Sequence, residues 1–325
     1  MKTALALLTS CWLTVIALPI AAQGQRATAA EVHTLHVQGN VYMLVTTGAA
    51  GGNVTLQIGD DGVLLVDTSV PSVTSQLVAE IRKLSDKPIR YVINTHVHAD
   101  HVGGNEAIAK MGSTIAGGNV GVGAGEGAGV IAHENVMTRM SAPTGTTAPM
   151  PFAAWPTDTF FTAKKELFFN GEAIEIEHQP SAHTDGDSLV FFRRSDVVST
   201  GDLFSTTSYP IVDLARGGNI QGVIAGLNRI LDITIPRDKQ EGGTYVIPGH
   251  GRLCDEADVL EYRDMVTIIR DRVQDLIAKG RTLEQVRAAK PTLDYDGRYG
   301  ADRGPWTTAQ FVEAVYKSLK EKSEK

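Results

Sequence analysis

Between Thr95 and Val102 the chain reads His96-Val97-His98-Ala99-Asp100-His101, four metal-competent side chains within six residues, directly after an apolar run. Imidazoles and carboxylates packed this densely cannot all be satisfied as isolated core polar groups, because each would need its own partner once removed from water. Alternation along an extended loop puts His96, His98 and Asp100 on one side, converging on a common cation. Gly103 and Gly104 follow and let the loop turn into a helix predicted to begin near Asn105.

The flanking pattern places this cluster at a sheet edge. Val41 to Val45, Val54 to Ile58 and Val63 to Val66 read as strands of a meander, with a turn at Asp60-Asp61-Gly62. Ser72 is predicted to cap a helix with Val73, Leu77, Ile81 and Leu84 on its apolar face, and a strand over Ile89 to Thr95 follows. Strand, helix, strand is the signature of an α/β layer unit. Residues 112–165, rich in glycine and then proline, are predicted to form an irregular insertion, and the glycines do not complete a dinucleotide-binding fingerprint. Further strands are expected over Glu166 to Phe169, Ala173 to His178, Ser188 to Phe192 and Val197 to Thr200. Helices are expected over Glu256 to Lys279 and Thr307 to Lys322.

The 325 residues are 42% hydrophobic and 21% charged, which suits a globular core and excludes intrinsic disorder. A net charge of -7, with no basic run, argues against a nucleic-acid partner. Residues 1–22 carry one positive charge, Lys2, then a mostly apolar stretch and the small pair Ala21-Ala22. This is the pattern of a secretory signal peptide, so the expectation is a periplasmic or secreted protein with no membrane segment after cleavage. Cleavage would leave Cys254 as the single cysteine, so the fold must hold without an internal disulfide. The expected organisation is the signal peptide, a hydrolase domain over 23–255 and a helical extension over 256–325.

Three further motifs follow the histidine cluster in order: Ala182-His183-Thr184-Asp185-Gly186-Asp187, Thr200-Gly201-Asp202-Leu203-Phe204 and Pro248-Gly249-His250-Gly251. With the first string and with Asp67 closing an early strand, the chain resembles the metallo-β-lactamase superfamily of dinuclear metallohydrolases over roughly residues 36 to 255. The resemblance implies a four-layer αββα sandwich with the site at one edge of its two sheets. It implies two zinc ions, the first held by His96, His98 and His183 and the second by Asp100, His101 and His250, with Asp202 bridging. Asp100 and Asp202 are the residues it places in catalysis. Three neutral imidazoles leave one position of a tetrahedral zinc open for water, and zinc brings the pKa of such water from about 16 to roughly 7. Thr184, Asp185 and Asp187 are either groups that orient His183 or members of an ordinary turn.

Departures from pattern bear on the substrate. The best-known β-lactamase subclass has a cysteine where Asp202 stands and lacks a histidine at 101, which moves this chain toward the thioesterase and lactonase branches. His98 is intact, whereas the di-iron redox branch carries glutamate there. Gly217-Gly218-Asn219-Ile220 resembles the segment that contacts substrate in true β-lactamases, which makes Asn219 a candidate substrate-binding residue, although the same asparagine also reads as a helix cap. With secretion, these features lead to β-lactam hydrolysis as the first expectation for a small-molecule hydrolase. A thioesterase or lactonase is the alternative. A one-iron redox enzyme and a binding protein with a vestigial site are weaker ones. His133 is expected to be structural, His178 is either a group supporting the ligands or simple packing, His33 and His36 have no assigned role, and Cys254 is expected to be a buried thiol.

Overall fold

The computed structural model describes residues 30–47, 51–114, 127–143 and 148–321; the expected leader lies outside them. Seven strands form the first sheet in chain order: β1 (Glu31–Gln38), β2 (Val41–Thr47), β3 (Val54–Gly59), β4 (Gly62–Val66), β5 (Ile89–Ile93), β6 (Gly129–His133) and β7 (Asp158–Phe160). The first four are antiparallel neighbours, and β4 to β7 run parallel. The second sheet has β8 (Lys164–Phe169), β9 (Glu172–His178), β10 (Ser188–Phe192), β11 (Val197–Ser199) and β12 (Tyr245–Ile247) in the order 12-11-10-9-8, with β11 and β12 parallel.

Strand alternation sorts the side chains into layers. In β4, Leu64 and Val66 point between the sheets, where they meet Ile174, Val190 and Phe192 of the second sheet. Val63 and Leu65 point outward to Leu77 and Ile81 of α1 (Thr74–Leu84) and Ile108 of α3 (Asn105–Met111); the short turn α2 (Ala99–Val102) lies between these two helices. On the far side, Leu189 of β10 packs under α5 (Ile220–Ile233) and α6 (Glu256–Ala278). The architecture is therefore an αββα sandwich closed at the end by further helices: α7 (Leu283–Ala288), α8 (Asp296–Tyr299) and α9 (Thr308–Glu321). Phe311 and Val315 bury the apolar face of α9 in the same cluster as Val259 and Tyr262 of α6.

Three local expectations change. Ser72 does not cap α1: it sits within a 3-10 turn over Pro71–Val73, and Val73 precedes the helix without a side-chain cap. Residues 112–165 are not uniformly irregular, since β6, α4 (Glu134–Ser141) and β7 lie within them. There Val130, Ile131 and Phe160 are buried, and parallel pairing to β5 extends the first sheet. Most of the expected glycine run, 115–126, lies outside the described residues. The loop after β5 bends over residues 95–97, is extended at His98 and then enters the helical turn α2.

Candidate metal centre

Asp67, the 94–102 loop, Asp202 and the 248–251 loop follow the C-terminal ends of β4, β5, β11 and β12, so the parallel strands of the two sheets deliver them to one edge. His183 arrives from the loop between β9 and β10. Two glycines are required by the closeness of these loops. Gly201 has φ +51° and a Cβ there would lie 2.5 Å from Thr95 Oγ1, while a Cβ on Gly249 would lie 2.0 Å from Asp202 Oδ1. Asn53 of the first sheet ties the last loop in place, its buried amide donating to the carbonyls of Pro248 at 2.9 Å and Gly251 at 3.1 Å.

All seven residues that the sequence singles out as ligands converge. Ligand atoms of His96, His98, His183 and Asp202 form one group and those of Asp100, His101, Asp202 and His250 a second, each within 4.8 Å, and Asp202 belongs to both. The turn at α2 makes this division: His96 and His98 precede it and belong to the first group, whereas Asp100 and His101, within it, belong to the second. Asp202 Oδ2 lies 3.9 Å from His96 Nε2 and 3.7 Å from His183 Nε2; its Oδ1 lies 3.1 Å from His101 Nε2 and 3.3 Å from His250 Nε2. Asp100 Oδ2 is 3.2 Å from His250 Nε2.

Four of the five imidazoles are aimed by a group behind the ring. His183 Nδ1 donates to the Ile211 carbonyl at 2.6 Å, and His98 Nε2 donates to Asp213 Oδ2 at 2.9 Å, which leaves His98 Nδ1 facing the first group. His101 Nδ1 donates to Asp67 at 2.7 Å, and His96 Nδ1 bonds to Thr95 Oγ1 at 3.0 Å, whose own hydroxyl donates to Asp67 at 2.7 Å. Such partners fix the tautomer and the ring orientation of a ligating histidine. Asp213 is the group that the sequence reading missed. It lies in an unremarkable Val212-Asp213-Leu214 stretch, 115 residues from His98, and backbone bonds from Asp213 N to His183 O and from Asn219 N to Ala182 O bring it there.

The atoms left over fit divalent cations. His96 Nε2, His101 Nε2 and Asp202 Oδ1 are buried with no hydrogen-bond partner, a costly arrangement unless an ion completes it. Burial drives His96 well below its ordinary pKa and His183 down to about 4, so both imidazoles are neutral. In the second group burial opposes protonation, yet Asp202 and Asp67 hold His101 well above its ordinary value, and Asp202 and Asp100 hold His250 up to about 9. Without a cation these imidazoles supply the positive charge that the carboxylates demand. A dication would take over that role.

The remaining candidates fall outside the cluster. Asn219 is the N-cap of α5: its Oδ1 accepts from Gln221 N at 2.8 Å and its Nδ2 faces the Ser318 carbonyl of α9 at 3.5 Å, so both ends of its amide are engaged in the helical layer. Asp187 binds the backbone N–H and hydroxyl of Thr184 at 2.9 and 2.6 Å, and Asp185 pairs with Arg139 at 2.7 Å, so these residues build the turn, while Ile211 orients His183. His133 and His178 stack on each other with ring centroids 3.5 Å apart. Cys254 is a buried thiol, pushed up to about 12 by burial and the nearby Asp258 carboxylate.

Residues 47–251 match the family model of the metallo-β-lactamase superfamily. The chain belongs to that superfamily. The match spans all four ligand motifs and ends before α6. A linear primary-alkylsulfatase of Pseudomonas sp. is 24% identical over 259 residues, covering 70% of this chain and 47% of the relative, so the chain spans about half of that relative's length. Among solved structures, the stereoselective inverting sec-alkylsulfatase Pisa1 from Pseudomonas sp. superposes with a TM-score of 0.59 at 18% identity, over 88% of this chain and 50% of that one. A metallo-β-lactamase from Pontibacter korlensis superposes with a TM-score of 0.54 at 16% identity, over 73% of this chain and 99% of that one. At these identities the structural likeness speaks to fold. The superfamily is one of metallohydrolases acting on small molecules, and among the described residues no helix is long and apolar enough to cross a membrane.

Proposed function

We propose that the protein is a secreted dizinc hydrolase that cleaves an ester-type bond in a small molecule. The observation that carries this reading is the pair of four-ligand groups sharing Asp202, with His96 Nε2 buried and left without a hydrogen-bond partner. When bound, two such ions activate water and steady the developing charge on the substrate or leaving group. Four of the five imidazoles are turned toward the groups because their other nitrogen is held by Asp67, Thr95, Ile211 or Asp213. His96, His101 and His183 are buried, whereas the side chains of His98, Asp100 and His250 are 20%, 28% and 27% exposed, so substrate approaches across these three. Asp100 is the carboxylate on that open face and is placed to hold the proton released as water attacks.

An ester-type substrate is supported by the alkylsulfatase relative and by Asn219 serving as a helix cap. Opening of a β-lactam amide is the second reading, supported by the β-lactamase whose whole length the shared fold covers. A panel of an alkyl sulfate, a carboxylic ester, a thioester, a lactone and a chromogenic cephalosporin, each with and without chelator, tests both. The expected outcome is chelator-sensitive, zinc-restored hydrolysis with an ester fastest. Cephalosporin turnover above all esters would select the second reading, and activity dependent on iron would overturn the dizinc assignment.

A further inference from the structure

We infer that the pocket between His98 and α9 binds the apolar part of the substrate, with Trp306 offering its indole N–H to a substrate oxygen. This rests on the hydrolase reading above and names where its substrate lies. A cavity of ≈ 430 Å³ opens beside His98, within the range of small-molecule sites. Ile211, Val212 and Leu214 supply one apolar wall, and Ala314 of α9 with the Trp306 ring supplies the other. The wall is fixed, because Phe311 and Val315 anchor α9 in the helical core.

Two observations make this pocket part of the reaction site. Its 211–214 wall is the loop that orients two ligands of the first group, through the Ile211 carbonyl on His183 and the Asp213 carboxylate on His98. Trp306 Nε1 is buried with no hydrogen-bond partner, whereas the indole of Trp155 donates to the Met150 carbonyl at 2.9 Å. A buried donor left unpaired is costly, and an ester oxygen entering the pocket would complete it. The charged groups that line the pocket are paired: Glu313 with Lys317 at 2.6 Å, and Asp213 with His98 at 2.9 Å and Arg216 at 2.6 Å. The pocket therefore selects a neutral alkyl or aryl group carrying an acceptor. Trp306 and α9 lie beyond residue 251, where the family match ends, so this specificity wall is supplied by the part of the chain that follows the matched region.

The test uses the zinc-loaded protein with nitrophenyl acetate, butyrate and octanoate. Ala314→Phe should lower the octanoate-to-acetate ratio of kcat/KM at least tenfold, with zinc per chain unchanged. Trp306→Phe removes the indole N–H together with part of the ring while keeping an aromatic face on the wall, and should raise KM for all three esters by about three- to tenfold with zinc per chain unchanged. An unchanged ratio in Ala314→Phe, or an unchanged KM for all three esters in Trp306→Phe, overturns the proposal. If Ala314→Phe does not fold, the Trp306→Phe result decides. If the zinc-loaded wild type hydrolyses none of the three, the proposed function is what fails. Calorimetry with nitrophenyl octanoate, then left uncleaved, tests the pocket alone, with binding at least threefold weaker in Trp306→Phe expected and equal binding contradicting it.

Discussion

Asp67 reaches two ligands of opposite metal groups at once: its Oδ2 accepts from His101 Nδ1 at 2.7 Å and from the Thr95 hydroxyl at 2.7 Å, and that hydroxyl bonds to His96 Nδ1. The backbone of Asp67 has φ +65°, in the left-handed region that Asp and Asn tolerate best among residues with a Cβ. Asp67→Asn should therefore keep the fold while weakening the carboxylate's hold on His101. Loss of such a partner commonly lowers metal affinity about 10- to 100-fold, and the second ion should show it. Asp213→Asn should weaken the first ion in the same way through His98. Competition titration with a chromophoric chelator resolves the two sites, and unchanged affinities in both variants would contradict these roles.

Asp202 contributes an oxygen to each group, whereas Asp187 bonds only within its turn, to Thr184. Asp202→Ala should reduce turnover by on the order of tenfold or more beyond Asp187→Ala, since it removes a ligand rather than a turn contact. Zinc content measured beside rate checks this. Equal loss in the two variants would mean that Asp202 is not shared.

The ligands were legible from the sequence because they cluster locally, in strings that follow apolar runs, and because four motifs keep a recognisable order. Groups that orient them through space were harder to read. Asp213 lies 115 residues from His98, and only the pairing of its loop with residues 182 and 183 brings it close. Short strands failed for a related reason. The three residues of β12, and β6 within a glycine-rich stretch, owe their strand state to parallel neighbours and carry too little alternation of their own. β1 is an edge strand with exposed Leu35 and a polar pattern, so its periodicity is weak. Asn219 had two consistent readings; the structure shows the cap, with α9 behind it.

His133 predicts a pH dependence of stability. Burial, then the stacked His178, pushes its pKa down to about 4 from the ordinary 6.5. The unfolded chain thus binds more protons between those values, so the stability contribution is fully present above pH 6.5 and is lost as pH falls toward 4. With solvent screening included, the loss should be roughly 1–2 kcal/mol. His133→Asn keeps an acceptor for the Asn135 N–H and should flatten the curve by that amount in urea titrations of the chelator-treated protein. Parallel curves for the two proteins would contradict the assignment.

Asn219→Ala separates cap from substrate contact. Loss of the bond to Gln221 N should cost about 1 kcal/mol, while kcat/KM on the best ester stays within twofold of wild type. A large fall in turnover at constant stability would return Asn219 to the site.

The most direct test of the dinuclear site is elemental analysis of the zinc-loaded protein beside the Asp202→Ala variant, with hydrolysis followed as metal is withdrawn. The geometry predicts two zinc ions per chain in the wild type, fewer than two in Asp202→Ala, and activity that disappears with chelation and returns with zinc. Full hydrolysis by a protein holding no metal, or two tightly held ions without Asp202, would contradict it.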